Sequence, residues 1–319
     1  MRRSLLLSLL LLLMLLTACA KPAQETPEPA PAPVEDVQET PDAPEEAPTV
    51  EFEPEPVQTG VQERDGAYYY IQPDGSVLGA QGLTEVDGAQ YYFLPDHSLY
   101  RFGHGVNDCG DALYYHTGEP GFVLLPPEPG LFEDTDGLYE VQPDGTLLCS
   151  AADGYLTFGA DGRYTSGSEE LDGLVAQLLA DAGADAALSQ DERLRLAFDY
   201  LRDHYSYLSM ELYEPGTTDW AEDRALVFLR QGKGNCYCFA ASFMYCARRL
   251  GYQAYVVAGH ESRPDNDHAW TMIDRDGQSC LYDVQLEYAY LYMFHRQPVD
   301  MFGAVETDGQ YNGFNYYFP

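Results

Sequence analysis

Residues 232–240 read Gly232-Lys233-Gly234-Asn235-Cys236-Tyr237-Cys238-Phe239-Ala240, and this stretch decides how the C-terminal half is read. The small and apolar residues Ala240, Ala241, Phe243, Met244 and Ala247 continue at helical spacing to a stop at Gly251. A helix therefore opens here, with Cys236 in its first turn. Free backbone N–H groups and the positive end of the helix dipole at that position stabilise a thiolate, the form of cysteine that attacks carbon. The flanking glycines allow a tight approach beside the sulfur.

Reading outward, a strand follows at Ala254-Tyr255-Val256-Val257-Ala258, then a polar loop and a second strand, His268 to Asp274. Asp276-Gly277 is a two-residue hairpin signal, and Leu281-Tyr282-Asp283-Val284 returns antiparallel. With that turn, His268 faces Gln285 and Trp270 faces Asp283, so His268 and Asp283 become diagonal neighbours on one face. A carboxylate there holds the imidazole in the tautomer that presents its other nitrogen to Cys236. On the upstream side, Leu171, Leu174, Val175, Leu178 and Leu179 mark one helix ending near Gly183. Ser189-Gln190-Asp191-Glu192 is a capping box for a second helix, and Asp219-Trp220-Ala221-Glu222 starts a third that stops at Gly232.

The segments GKGNCYCFA (232–240), LGYQAYVVAGH (250–260), HAW (268–270) and LYDV (281–284), in this order, resemble the core of the transglutaminase-like superfamily. The resemblance covers roughly Ser189 to Tyr290 and implies an α+β, papain-like fold in which a helix-borne Cys packs on an antiparallel sheet bearing His and then Asp. It also implies Cys236 as nucleophile, His268 as acid/base and Asp283 as orienting acid. An upstream oxyanion-stabilising group is implied too, with Tyr207 the candidate and Tyr205 the next. Val284-Gln285 stands where the family more often has Pro-Thr, and Cys238 is unusual. Such a triad forms an acyl-enzyme from an amide or ester; water as acceptor makes a peptidase or amidase, an amine a transglutaminase. The other reading is a non-catalytic envelope adhesin or scaffold on a silent fold.

Cys236-x-Cys238, with His260 or Asp265 nearby, also has the residue types of a metal site. Residues two apart on a helix point about 200° apart, so no metal and no cofactor are expected. Asp274-Arg275-Asp276-Gly277 lacks the acidic ligands that complete a calcium loop.

At the other end, Arg2-Arg3 precedes a Leu run from Leu5 to Leu16, the charged and apolar regions of an export signal. Leu16-Thr17-Ala18-Cys19 resembles the bacterial lipobox, which implies cleavage after residue 18 and a lipid anchor on Cys19; the alternatives are a plain signal cleaved near Ala18 or Ala20 and an uncleaved N-terminal anchor. Residues 19–60 are rich in Pro, Glu, Ala and Thr, too polar to bury a core, and are expected to form an extended, disordered spacer. The expected location is outside the cytoplasmic membrane, anchored at the bacterial surface.

Residues 61–167 carry a recurring unit: Asp65-Gly66-Ala67-Tyr68-Tyr69-Tyr70, Asp87-Gly88-Ala89-Gln90-Tyr91-Tyr92-Phe93, Gly110-Asp111-Ala112-Leu113-Tyr114-Tyr115, with weaker copies at Asp136-Gly137 and Asp153-Gly154. Each reads as a β-hairpin, and stacking of neighbours is needed for stability. The texture resembles the cell-wall-binding repeats of Gram-positive surface proteins, which implies polysaccharide or peptidoglycan as a partner. The chain has 26 Tyr and 2 Trp, and no Trp falls in this array, so tyrosine packing of hairpin on hairpin is the competing role. Residues 168–319 complete the transglutaminase-like domain, with a Tyr-rich tail expected to close its sheet or cleft.

The 319-residue chain has 17 Lys and Arg against 52 Asp and Glu, a net charge of −35, which repels phosphate backbones and excludes nucleic acid as a partner. Its 45% hydrophobic content suffices for an ordinary core. With Cys19 lipidated and Cys236 a nucleophile, an odd number of cysteines remains, and Cys109 with Cys149 is the pair that would tie the array together. Protein or peptide is the expected substrate.

Overall fold

The computed structural model describes residues 56–319. The Leu-rich segment, the lipobox with Cys19 and the spacer as far as residue 55 lie outside the described residues. No helix among the described residues is long and apolar enough to cross a membrane.

Five antiparallel hairpins come first: β1 (Gly60–Arg64) with β2 (Ala67–Ile71), β3 (Gly82–Val86) with β4 (Ala89–Phe93), β5 (Gly105–Cys109) with β6 (Ala112–His116), β7 (Gly130–Glu133) with β8 (Leu138–Val141), and β9 (Ala151–Asp153) with β10 (Leu156–Phe158). Asp65-Gly66 and Asp87-Gly88 have positive φ at both residues, the mirror-image turn whose twist matches that of paired strands. The fourth hairpin departs from the expected Asp136-Gly137 turn. Its loop starts at Asp134, whose Oδ1 accepts the N–H groups of Asp136 and Gly137 at 2.8 and 3.1 Å.

The hairpins interlock through backbone and tyrosine. Leu99 N–H donates to Tyr68 O, Leu124 to Gln90, Leu147 to Leu113 and Tyr164 to Leu138, at 2.7–2.8 Å, so every second strand accepts from a segment downstream. The Tyr70 hydroxyl donates to Asp87 in the next hairpin's turn, and that of Tyr115 donates to Asp134. The Tyr92 hydroxyl lies against the third turn: a Cβ on Gly110 would stand 2.6 Å from it, so that position stays bare. Rings meet across hairpins, Tyr70 on Tyr91 at 5.5 Å and Tyr115 on Tyr139 at 5.3 Å. Cys109 and Cys149 sit in separate clusters and are unpaired, as are all six described cysteines, so packing rather than a disulfide ties the array.

The remainder is α+β. In chain order come α1 (Glu169–Asp181), α2 (Gln190–His204), β11 (Ser206–Tyr207), α3 (Ala221–Gln231), β12 (Lys233–Gly234), α4 (Cys236–Arg249), β13 (Ala254–Glu261), β14 (Asp267–Arg275), β15 (Gln278–Tyr282) and α5 (Val284–Tyr288). A π-helical turn (Ala289–Met293) leads to β16 (Phe302–Ala304), β17 (Glu306–Thr307), β18 (Gln310–Tyr311) and β19 (Tyr316–Tyr317). Ser189 caps α2 with Glu192 bonding back to it, and Gly232 ends α3 at φ 71°. The antiparallel sheet runs β16-β15-β14-β13-β19. The Tyr-rich tail thus covers both edges, β16 beside β15 and β19 beside β13.

Every residue from Cys236 to Ala247 is buried, which makes α4 the central helix rather than an amphipathic one. It packs on β13 and β14 on one side and on the other helices elsewhere. Its own Phe239 and Phe243, and Phe228 and Phe198 packed against them, are fully buried, each contributing about 1.5–3 kcal/mol by burial. Thr271 Oγ1 donates to Ala240 O at 2.8 Å, which fixes the height of α4 against β14. The array docks on this body. Gln253 Oε1 accepts the Tyr155 N–H at 2.6 Å, the Tyr155 and Tyr255 rings stack at 5.1 Å, and Glu133 lies between Arg193 and Arg249 at 2.7 and 3.1 Å.

Candidate active site

The start of α4 is set by two glycines. Gly232 turns the chain out of α3, and β12 then pairs parallel with β11, Tyr207 beside Gly234. A Cβ on Gly234 would stand 2.5 Å from Cys238 Cβ and Sγ and 2.8 Å from Phe228 Cδ2, so only glycine brings this backbone so close to the helix. Gly234→Ala is expected to destabilise the protein by about 1–3 kcal/mol and to shift the start of α4. A chemical-denaturation midpoint equal to wild type would contradict that crowding. Asn235 precedes the helix and makes no side-chain cap; its Nδ2 donates instead to Glu211 O at 3.1 Å, holding the 208–216 loop.

Cys236 is the first residue of α4, where N–H groups have no intrahelical acceptor. Its neighbour Cys238 points into the core, with Sγ 3.8 Å from Met210 Sδ, and burial pushes its thiol up to about 11. Cys246, fully enclosed, is pushed up by burial to about 12. Those two thiols are packing groups. Among the described residues, no group of three or more His, Cys, Asp and Glu side chains forms a metal site.

His268 stands on β14 and Asp283 follows β15. The Asp276-Gly277 turn sets the expected register, Thr271 opposite Tyr282 through Arg275 opposite Gln278. The extension beyond it is corrected by the structure. His268 pairs with Gly259 of β13 rather than facing Gln285, and Asp283 does not face Trp270 in the ladder but leaves the strand as the N-cap of α5. Asp283 Oδ1 accepts the Leu286 N–H at 2.8 Å, and this cap aims Oδ2 at His268 Nε2, 2.6 Å away. The contact inferred from strand geometry therefore exists through helix capping. α5 is itself held by Glu287, which accepts from Arg202 at 2.9 Å and from Met301 N–H at 2.8 Å.

With Nε2 on Asp283, Nδ1 is the nitrogen left for sulfur, and Cys236 and His268 line the same cavity. Burial pulls the imidazole down, but the Asp283 carboxylate and Cys236 outweigh it and hold its pKa well above 6.5. A raised folded value contributes stability that is complete below the unfolded value, about 6.5, and is lost as pH rises through the folded value. The stability difference between wild type and His268→Gln is accordingly expected to shrink as pH rises from about 6.5 through the folded value. Urea denaturation across that range checks it, and a constant difference would contradict the ion pair.

Cys236 and His268 open into a cavity of about 450 Å³. Tyr207 lines it beside the sulfur, and burial, then the charge of Cys236, raises its hydroxyl pKa, so it remains a donor. Tyr205, the second candidate, packs instead on Phe228 at 4.7 Å. One part of the wall is acidic, with Glu261, Asp265 and Asp267; another is apolar, with Met210, Leu212, Met293 and Phe294. Sequence reasoning missed Tyr316, whose hydroxyl donates to Asp283 Oδ2 at 2.8 Å. No motif marks it; only the aromatic run Tyr316-Tyr317-Phe318 signals a strand there.

Residues 176–281 match the family model described as Transglutaminase-like superfamily. This part of the chain is a transglutaminase-like domain. The match reaches upstream into α1 and ends at Leu281, short of Asp283. No curated protein compared with the chain matches it. Among solved structures, choline binding protein F from Streptococcus pneumoniae, with a peptidoglycan analogue, is similar at 17% identity over 34% of this chain and 34% of that chain, TM-score 0.26. A TGase is similar at 19% identity over 37% of this chain and 33% of that chain, TM-score 0.30. The modular autolysin LytC from Streptococcus pneumoniae, with a synthetic peptidoglycan ligand, is similar at 16% identity over 31% of this chain and 22% of that chain, TM-score 0.21. The chain spans about a third of the length of the first of these.

Proposed function

We propose that the protein is a thiol-dependent acyltransferase or amide hydrolase acting on protein or cell-wall peptides at the outer face of the bacterial membrane. The observation that carries this reading is the meeting of Cys236, at a helix start, with an imidazole held by a buried carboxylate, at a cavity open to solvent. The Cys236 thiolate attacks the amide carbonyl carbon, and the C=O electron pair moves to oxygen, beside the N-terminal end of α4 and the Tyr207 hydroxyl. The oxyanion collapses, the C–N bond breaks, and His268 gives its proton to the departing amine. The thioester then passes its acyl group to water or an amine, whose proton returns to His268 as the thiolate leaves. Asp283 orients the ring and stabilises the imidazolium throughout.

The export-signal and lipobox resemblance of the first 19 residues and the Pro- and Glu-rich 19–60 segment support a reading in which this chemistry lies outside the membrane, and the resemblance of the hairpin array supports wall polysaccharide or peptidoglycan as its partner. The acidic wall and the net charge of −35 disfavour acidic substrates. The test is incubation of the reduced full chain with a peptide library, with and without a primary amine, read by mass spectrometry. Shortened peptides identify hydrolysis and amine adducts on Gln identify transfer; neither product, with Cys236 verified as reduced, rejects the function. Retention on isolated cell wall tests the array.

A further inference from the structure

Asp283 is 1% exposed and carries two donors on one oxygen: His268 Nε2 at 2.6 Å and the Tyr316 hydroxyl at 2.8 Å both point to Oδ2. Tyr316 comes from β19, the strand that the tail lays along the outer edge of β13. Its ring packs on Trp270 at 4.9 Å and Tyr311 at 5.7 Å, so its hydroxyl is fixed from behind. Building on the acyl-transfer reading, we infer that Tyr316 is a positioning residue: its hydroxyl shares Asp283 Oδ2 with His268, fixing the carboxylate and setting how tightly it holds the imidazolium.

The physical consequence follows from sharing. A carboxylate oxygen that accepts a second hydrogen bond spreads its charge over two donors and binds each proton less strongly. Burial, then the charge of Asp283, keeps the Tyr316 hydroxyl protonated, so it acts as a donor throughout the working range. Removing it leaves His268 as the single donor to Oδ2. The ring should then keep its proton to higher pH, while the carboxylate is held on one side only by the Leu286 N–H. Other titratable groups around the cluster are Cys236 from α4, Tyr207 from β11, Glu261 from β13, Asp265 just before β14 and Asp267 at its start, Tyr290 from the π-helical turn and Tyr311 from β18, and Tyr316→Phe substitutes none of them. The tail beyond the family match thus belongs to the working site.

The experiment is an NMR titration of the His268 ring in the histidine-labelled full chain without substrate, the signal being assigned by its loss in His268→Gln. Tyr316→Phe is expected to move the titration up by about half to one pH unit. 3-Fluorotyrosine at position 316, a more acidic donor, is expected to move it down, and covers the case in which Tyr316→Phe does not fold. The high-pH limb of Cys236 acylation by an amide probe should shift with the ring. A folded Tyr316→Phe protein with an unmoved titration, or a fluorotyrosine protein shifting upward, would overturn the assignment. The titration needs no substrate, so failure of every peptide to react would remove the proposed function and leave this contact to be judged separately.

Discussion

Asp283→Ala is expected to lower the unfolding free energy by about 3–5 kcal/mol, a loss usual for breaking a buried charged pair from one side. The size follows from what the alanine leaves behind. His268 Nε2, the Tyr316 hydroxyl and the Leu286 N–H all donate to this one carboxylate, and all three residues are buried. An imidazolium without its counter-charge, an orphaned hydroxyl and an uncapped helix each cost free energy. Asp283→Asn keeps one acceptor for Leu286 and should be milder in stability, yet it presents an N–H to His268 and favours the wrong tautomer. In a serine protease the corresponding change lowers kcat by about 10⁴. Urea denaturation at neutral pH checks the first statement; a loss under about 1 kcal/mol for Asp283→Ala would remove the buried ion pair from the account.

The second large effect is kinetic. His268→Ala is expected to slow acylation of Cys236 by about 10³–10⁴-fold, because the thiol loses its proton acceptor and the leaving amine its donor. His268→Ala and Cys236→Ala should together cost no more than Cys236→Ala alone, since groups that act as one unit are not additive. Rates for the two single variants and the double variant with one amide substrate give the answer. Additive losses would mean that His268 acts apart from the sulfur.

Much of this was legible in the sequence because local chemistry and tertiary structure agree. The capping box at Ser189 and Glu192 and the left-handed stop at Gly232 fix helix ends without outside help. Asp-Gly turns fix hairpins for the same reason, and the register between β14 and β15 follows from one of them. The misread residue is Asp283. Alternation carried the strand past Tyr282, whereas an Asp three residues before Leu286 is also a helix-start signal, and capping prevailed. Tyr316 was beyond reach for another reason: it contacts a residue 33 positions away through a strand pairing that no local pattern announces. The interlocking of Tyr70 with Asp87 and Tyr115 with Asp134 was equally hidden, although the repeat of Asp and Tyr along the array was plain.

The central claim is that Cys236, alone among the cysteines, is a nucleophile coupled to His268. Reaction of the reduced full chain with a weakly electrophilic amide or ester probe at neutral pH, followed by intact-mass analysis and peptide mapping, tests it most directly. The account predicts one adduct per chain, on Cys236, absent from Cys236→Ala and retained in Cys238→Ala. An unlabelled chain with its thiols verified as reduced, or label spread evenly over Cys109, Cys149 and Cys280, would contradict it.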